Sequence, residues 1–139
     1  MEIIANAVQT VLTNQSVLFT DTVAPGNCAV MHRAGSGLIT VKGNTNQCRA
    51  RYRITFAGNM ALSNGATVEP ISLAIAVEGE TLPATTMTIT PVAVGDFWNV
   101  FGHTFLDVPR SCCMSVSVKN ISAQSIDVQN ANLIIERVA

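Results

Sequence analysis

The chain reads as an all-β protein, a sandwich or barrel built from many short strands. Three observations carry that reading. Between Arg49 and Phe56 the residues alternate, with Ala50, Tyr52, Ile54 and Phe56 on one face and Arg49, Arg51, Arg53 and Thr55 on the other. Successive side chains of a strand point to opposite faces, whereas a helix would scatter the three arginines around its surface. Short apolar segments recur along the chain with turn signals between them. No stretch carries a convincing long helical period.

Met1 to Thr13 holds Ile3, Ile4, Val8, Val11 and Leu12 near helical spacing, with Asn6, Thr10 and Thr13 between them. It fits a short helix or an extended arm, so residues 1–15 are set apart as an N-terminal arm and residues 16–139 form a single domain. Val17 to Thr20 is expected as a first strand, followed by the turn Ala24-Pro25-Gly26-Asn27. Cys28 to His32 and Leu38 to Lys42 form a hairpin about Arg33-Ala34-Gly35-Ser36-Gly37. A polar loop, Gly43 to Asn46, leads into the long strand, which ends at the turn Ser63-Asn64-Gly65. Ile71 to Val77 alternates Ile71, Leu73, Ile75 and Val77 with the small residues Ser72, Ala74 and Ala76. That small-residue face suits close contact with another sheet or subunit. Glu78-Gly79-Glu80 turns the chain, Thr85 to Pro91 alternates again, and Asp96 to Val108 reads as one strand or two halves of one. After the turn Pro109-Arg110-Ser111, Cys112 to Val118 alternates, and Asn120 to Ser125 is polar. In the closing strand, Ile126 to Val138, the apolar residues switch face between Val128 and Leu133, which predicts a bulge or bend near Asn130.

The stretch from Gly35 to Leu62 resembles the start of the C1q/TNF-like jelly rolls. That family has a glycine, a short strand opening on a bulky residue, then a glycine before an aromatic-x-aromatic strand. Gly37, Leu38 and Gly43 stand in the first positions, and Tyr52 and Phe56 are the strand aromatics. Asn44 to Arg51 is an insertion where the family keeps glycine next to aromatic. Val77-Glu78-Gly79-Glu80 fits the family's short polar turn, and Val128 to Val138 resembles its last, central strand. The resemblance runs from about Val17 to the end of the chain. It implies an all-β jelly-roll sandwich of two antiparallel sheets, assembled as a homotrimer. Its flavour is that of the small trimeric heads on bacterial spore filaments and bacteriophage particles.

A chain of 139 residues is most simply one domain. Charged residues make up 12%, about half the usual share, and apolar residues 48%, which suggests that part of the surface is covered by other subunits. The formal net charge of −1 offers no electrostatic case for nucleic acid or an anionic membrane. No apolar run approaches the ~20 residues that span a bilayer. Glu2 replaces the basic start of a secretory signal, so exit from the cell is expected by another route, such as lysis.

Chemistry-bearing groups are sparse. Cys28, Cys48, Cys112 and Cys113 lack zinc-ligand spacing and are read as structural or free thiols; a Cys28–Cys48 bond fits the spacing but nothing else supports it. Neither His32 nor His103 belongs to a nucleophile–base motif, the acidic residues are scattered, and there is no P-loop, dinucleotide fingerprint or calcium loop. No enzyme, cofactor or metal site is expected. Asn14-Gln15-Ser16 and Asn120-Ile121-Ser122 match the glycosylation sequon and are read as accidental. Arg49, Arg51 and Arg53 could bind an anion such as an acidic glycan, but pairing with carboxylates across strands or subunits is the preferred reading.

Two functions remain. The first is a structural, non-enzymatic particle protein: a bacteriophage head or tail decoration or fibre protein, located on the virion and contacting other virion proteins. The second is a jelly-roll module that binds a carbohydrate or receptor on a host, bacterial or spore surface. Bulky residues occupy both faces of Asp96 to Val108, with Trp98, Val100, Thr104 and Leu106 on one and Phe97, Phe101 and Phe105 on the other. One set fills the core and the other needs a neighbour, since large exposed apolar patches are uncommon on monomers. The three-fold interface is therefore placed at Trp98, Phe101, Phe105 and Tyr52, although Tyr52, with Ile54 and Phe56, is also expected between the two sheets.

Overall fold

The computed structural model describes all 139 residues, Met1–Ala139, and contains twelve strands. They are β1 (Glu2–Ala5), β2 (Gln9–Val11), β3 (Asp21–Ala24), β4 (Val30–His32), β5 (Ile39–Lys42), β6 (Arg49–Leu62), β7 (Ile71–Val77), β8 (Glu80–Thr81), β9 (Met87–Ile89), β10 (Trp98–Pro109), β11 (Cys113–Asn120) and β12 (Ile126–Arg137). The first sheet runs β10-β6-β12-β1-β3, with β2 also on β12; the second runs β4-β5-β11-β7-β8, with β9 also on β7. All pairings are antiparallel. From β5 onward the chain crosses repeatedly between the sheets, so each sheet closes over the apolar face of the other.

The core lies between them. Ala50, Tyr52, Ile54 and Phe56 of β6 face inward with at most 1% exposure, as the alternation requires. Phe56 meets Phe19 edge-on, with centroids 6.5 Å apart. The Tyr52 hydroxyl donates to the Lys42 carbonyl at 2.9 Å, which satisfies the one polar atom of that buried ring. Tyr52 is thus a core residue; its placement in a subunit interface is corrected, because its own chain covers it. Burial raises its phenol above the ordinary range, with Arg137 pulling the other way.

Residues 1–15 are not a separate arm. β1 pairs with β12 and β3, β2 pairs with β12, and Ile3 and Val11 are buried. The predicted strand Val17 to Thr20 is extended but forms no ladder. Val17 N–H donates to Val118 O and Phe19 N–H to Ser36 O, so its partners lie on different segments.

Two special backbone positions follow the sequence closely. Between Gln129 and Asn132 the β12–β6 register shifts by one extra residue, and Asn130 has φ 52°, a bulge that separates the part of β12 paired with β1 from the part paired with β2. At Gly43, a Cβ would lie 2.0 Å from the Pro109 carbonyl oxygen, so only glycine lets β5 leave beneath the β10–β11 turn.

The outer face of β7 is also closed by its own chain. Ala74 and Ala76 are fully buried. Lys119, paired opposite Ala74, carries its ammonium to Gly79 O at 3.2 Å. The proposal that these small residues supply a subunit contact is corrected accordingly.

Candidate functional site

The exposed apolar site is the outer face of the first sheet. Along β10 the inner positions Val100, Gly102, Leu106 and Val108 are buried, and Phe101, His103, Phe105 and Asp107 point away from the core. Phe101 and Phe105 are 59% and 58% exposed. Strand register extends this face across the sheet. One row reads Phe101, Ala57, Asn132, Ile4; the next reads His103, Thr55, Ile134, Glu2; the third reads Phe105, Arg53, Glu136. Ala57, Ile134 and Ile4 are half-buried, so the surface is a mixed strip with two projecting rings and smaller apolar residues beside them. The His103 ring lies 5.6 Å from that of Phe101. Ile4, Ala57 and Ile134 escaped the sequence reading because their neighbourhood depends on register between segments far apart in the chain.

Trp98 does not share this strip. It has the inward parity of Val100 but begins the strand, where the core ends. Its indole is 44% exposed and donates to Asp96 at 2.8 Å.

The arginine face is answered by carboxylates on neighbouring strands. Arg51 makes a two-pronged contact with Asp107, Nε at 2.7 Å and Nη2 at 3.0 Å. Arg49 Nε lies 3.4 Å from the same carboxylate, and Arg53 Nε is 3.2 Å from Glu136. The hydrogen bond from Arg51, reinforced by the charges of Arg51 and Arg49, holds the Asp107 carboxyl below its usual range. A depressed folded-state pKa contributes stability above the unfolded value, and that contribution is lost as pH falls through the folded one. Asp107→Asn should therefore lower the urea midpoint at neutral pH, with the gap to the parent closing in strong acid; an equal gap at both pH values would contradict this pair. The contribution is small, because both side chains are solvent-exposed.

His32 sits at the end of β4, with Nε2 at 2.8 Å from Ser36 O and Nδ1 buried without a partner. No group of three or more His, Cys, Asp or Glu residues stands close enough to hold a metal ion. The surface depressions are shallow, from 210 to 390 Å³, and none contains a nucleophile–base pair. The four cysteines are unbonded and exposed. Thiol titration of denatured protein from a reducing cytoplasm, without added reductant, should find four free thiols per chain. A Cys28–Cys48 bond in freshly isolated protein would contradict that expectation.

No protein-family model matches the chain, and no curated protein matches it in sequence. Solved structures do match. The globular domain of zebrafish complement 1qA is 14% identical, with 96% of this chain and 93% of that chain covered and a TM-score of 0.64. Murine APRIL crystallised at pH 5.0 is 9% identical, with 95% of each chain covered and a TM-score of 0.60; its pH 8.5 structure gives 7%, 91% and 94%, and 0.53. At such low identity the likeness concerns architecture, and on that ground the chain has the C1q/TNF-like jelly-roll fold.

Proposed function

We propose that this chain is a non-enzymatic structural module that assembles as a homotrimer through the outer face of its first sheet. We place it on a virion, as a bacteriophage head or tail decoration or a fibre protein in contact with other virion proteins. The observation that carries the assembly is the pair Phe101 and Phe105, which project side by side from a sheet whose inner face already fills the core. A charged fraction of 12% favours the same reading, since a free surface normally carries more charge. The C1q/TNF-like fold supports a three-fold arrangement of like chains. The virion placement rests on the overall flavour of the resemblance, that of the small trimeric heads on bacterial spore filaments and bacteriophage particles.

The alternative, a module that binds carbohydrate or a surface receptor through Arg49, Arg51 and Arg53, has less support because Asp107 and Glu136 already engage those guanidiniums. Light scattering on the purified chain at micromolar concentration should give three times the chain mass, and mass spectrometry of purified particles should find the chain in them. A monomer would overturn the assembly; absence from particles would overturn the placement. A glycan array showing tight, arginine-dependent binding would favour the alternative.

A further inference from the structure

All four cysteines lie at one end of the sandwich. β5 leaves the second sheet at Lys42, where its neighbours are Ala29 on one side and Cys113 on the other. Gly43 N–H donates to Cys112 O at 2.8 Å, and Arg110 N–H to Cys48 O at 3.0 Å. The loops that hold Cys28, Cys48 and Cys112-Cys113 are thus stitched together around Gly43. Cysteine is among the most buried residue types, yet every cysteine here is exposed.

None of these thiols is bonded to another. The Cys28 and Cys113 segments flank β5 on opposite sides, two strand spacings or roughly 10 Å apart, beyond the ~7 Å that a disulfide spans between Cα atoms.

The same end is basic. Lys42, Arg49, Arg51, Arg110 and Arg137 stand there, five of the eight Lys and Arg residues in the chain. Two carboxylates face them: Asp107, held by Arg51, and Glu78, whose Oε1 accepts from Ser115 N–H at 2.6 Å. The end therefore carries a positive surplus on a chain whose formal net charge is −1. One layer deeper, Arg53 and Glu136 neutralise each other.

We propose that this end is a covalent docking face, which joins the chain by thiol–disulfide exchange to an acidic protein surface that presents a disulfide. The positive surplus draws the acidic partner in, and the exposed thiols are open to exchange. A cysteine gives up its proton, and its sulfur attacks one sulfur of the partner's disulfide. A new S–S bond forms between the two proteins as the old one breaks. The departing sulfur leaves as a thiolate and takes up the proton. One disulfide is consumed and one is made, so no separate oxidant is required. The inference does not rest on the trimer reading: the thiols lie at the end of the sandwich, although Arg51 stands on the same outer sheet face, one row beyond Phe105.

The test uses the full chain and two peptides, each carrying one cysteine as its thiopyridyl mixed disulfide, one rich in Asp and Glu and the other in Lys. At low ionic strength the acidic peptide should couple about tenfold faster, within the range of electrostatic steering, and the ratio should collapse in ~1 M salt. Mass spectrometry should place the adduct on Cys28, Cys48, Cys112 or Cys113. Arg49→Glu with Arg110→Glu should abolish the preference, while Arg33→Glu, away from the thiol end, should leave it. Equal rates for the two peptides, native thiols that react only after denaturation, or loss of two hydrogens with no adduct would each overturn the proposal.

Discussion

Replacing Phe101 and Phe105 together with Glu should convert the proposed trimer to monomer or aggregate at micromolar concentration. Both rings project from β10, and each is already about two-fifths covered by its own chain. Burying the rest against a neighbour contributes on the order of 1–2 kcal/mol per ring. Three protomers repeat that gain at every interface. A glutamate in the same position reverses its sign, because a buried carboxylate without a partner costs several kcal/mol. Arg53 already serves Glu136 and offers no ready counter-charge. The folded protomer should survive, since neither ring belongs to the core. Asn46→Glu and Asn64→Glu, both in exposed loops, should leave the oligomer unchanged. The readout is mass by light scattering. A double variant that keeps three times the chain mass would remove this strip from the interface.

Phe56→Ala should destabilise the chain by about 3–5 kcal/mol, the cost of deleting a buried aromatic and leaving part of its cavity. Phe56 is fully buried in β6, between Gly102 of β10 and Leu133 of β12 by register. Its ring meets Phe19 from the chain's N-terminal segment, so the loss loosens strand and cover together. A domain of this size holds roughly 5–15 kcal/mol in total, so the variant should stand near the edge of folding at 37 °C. Phe105→Ala, on the exposed face of the next strand, should change protomer stability far less. Equilibrium urea unfolding, with the slope held constant, separates the two. An unchanged midpoint for Phe56→Ala would mean that the β6 ring is not part of the packed core.

The sequence by itself determined the elements whose signal is local. The alternation from Arg49 to Phe56 reports which face of β6 is buried, because a strand reverses side-chain direction at every residue. The same logic gave β7, and the face switch near Asn130 marked the bulge in β12. Gly43 was legible as a glycine of the resembled pattern, but the Pro109 carbonyl that requires a glycine there was not. Only the tertiary structure decided the rest, and in each case the partner is distant in the chain. Residues 1–15 carry a near-helical spacing, yet they become strands because β12, about 130 residues later, offers an unpaired edge whose backbone groups need partners. The arginines of β6 could have met a ligand; Asp107, 56 residues after Arg51, meets Arg49 and Arg51 instead, and Glu136 meets Arg53. The alanines of β7 could have faced a neighbour, but they are fully buried within their own chain. The outward face of Phe101 and Phe105 was legible from the alternation of β10, but their neighbours across the sheet and the gathering of the thiols at one end are products of strand register and loop closure.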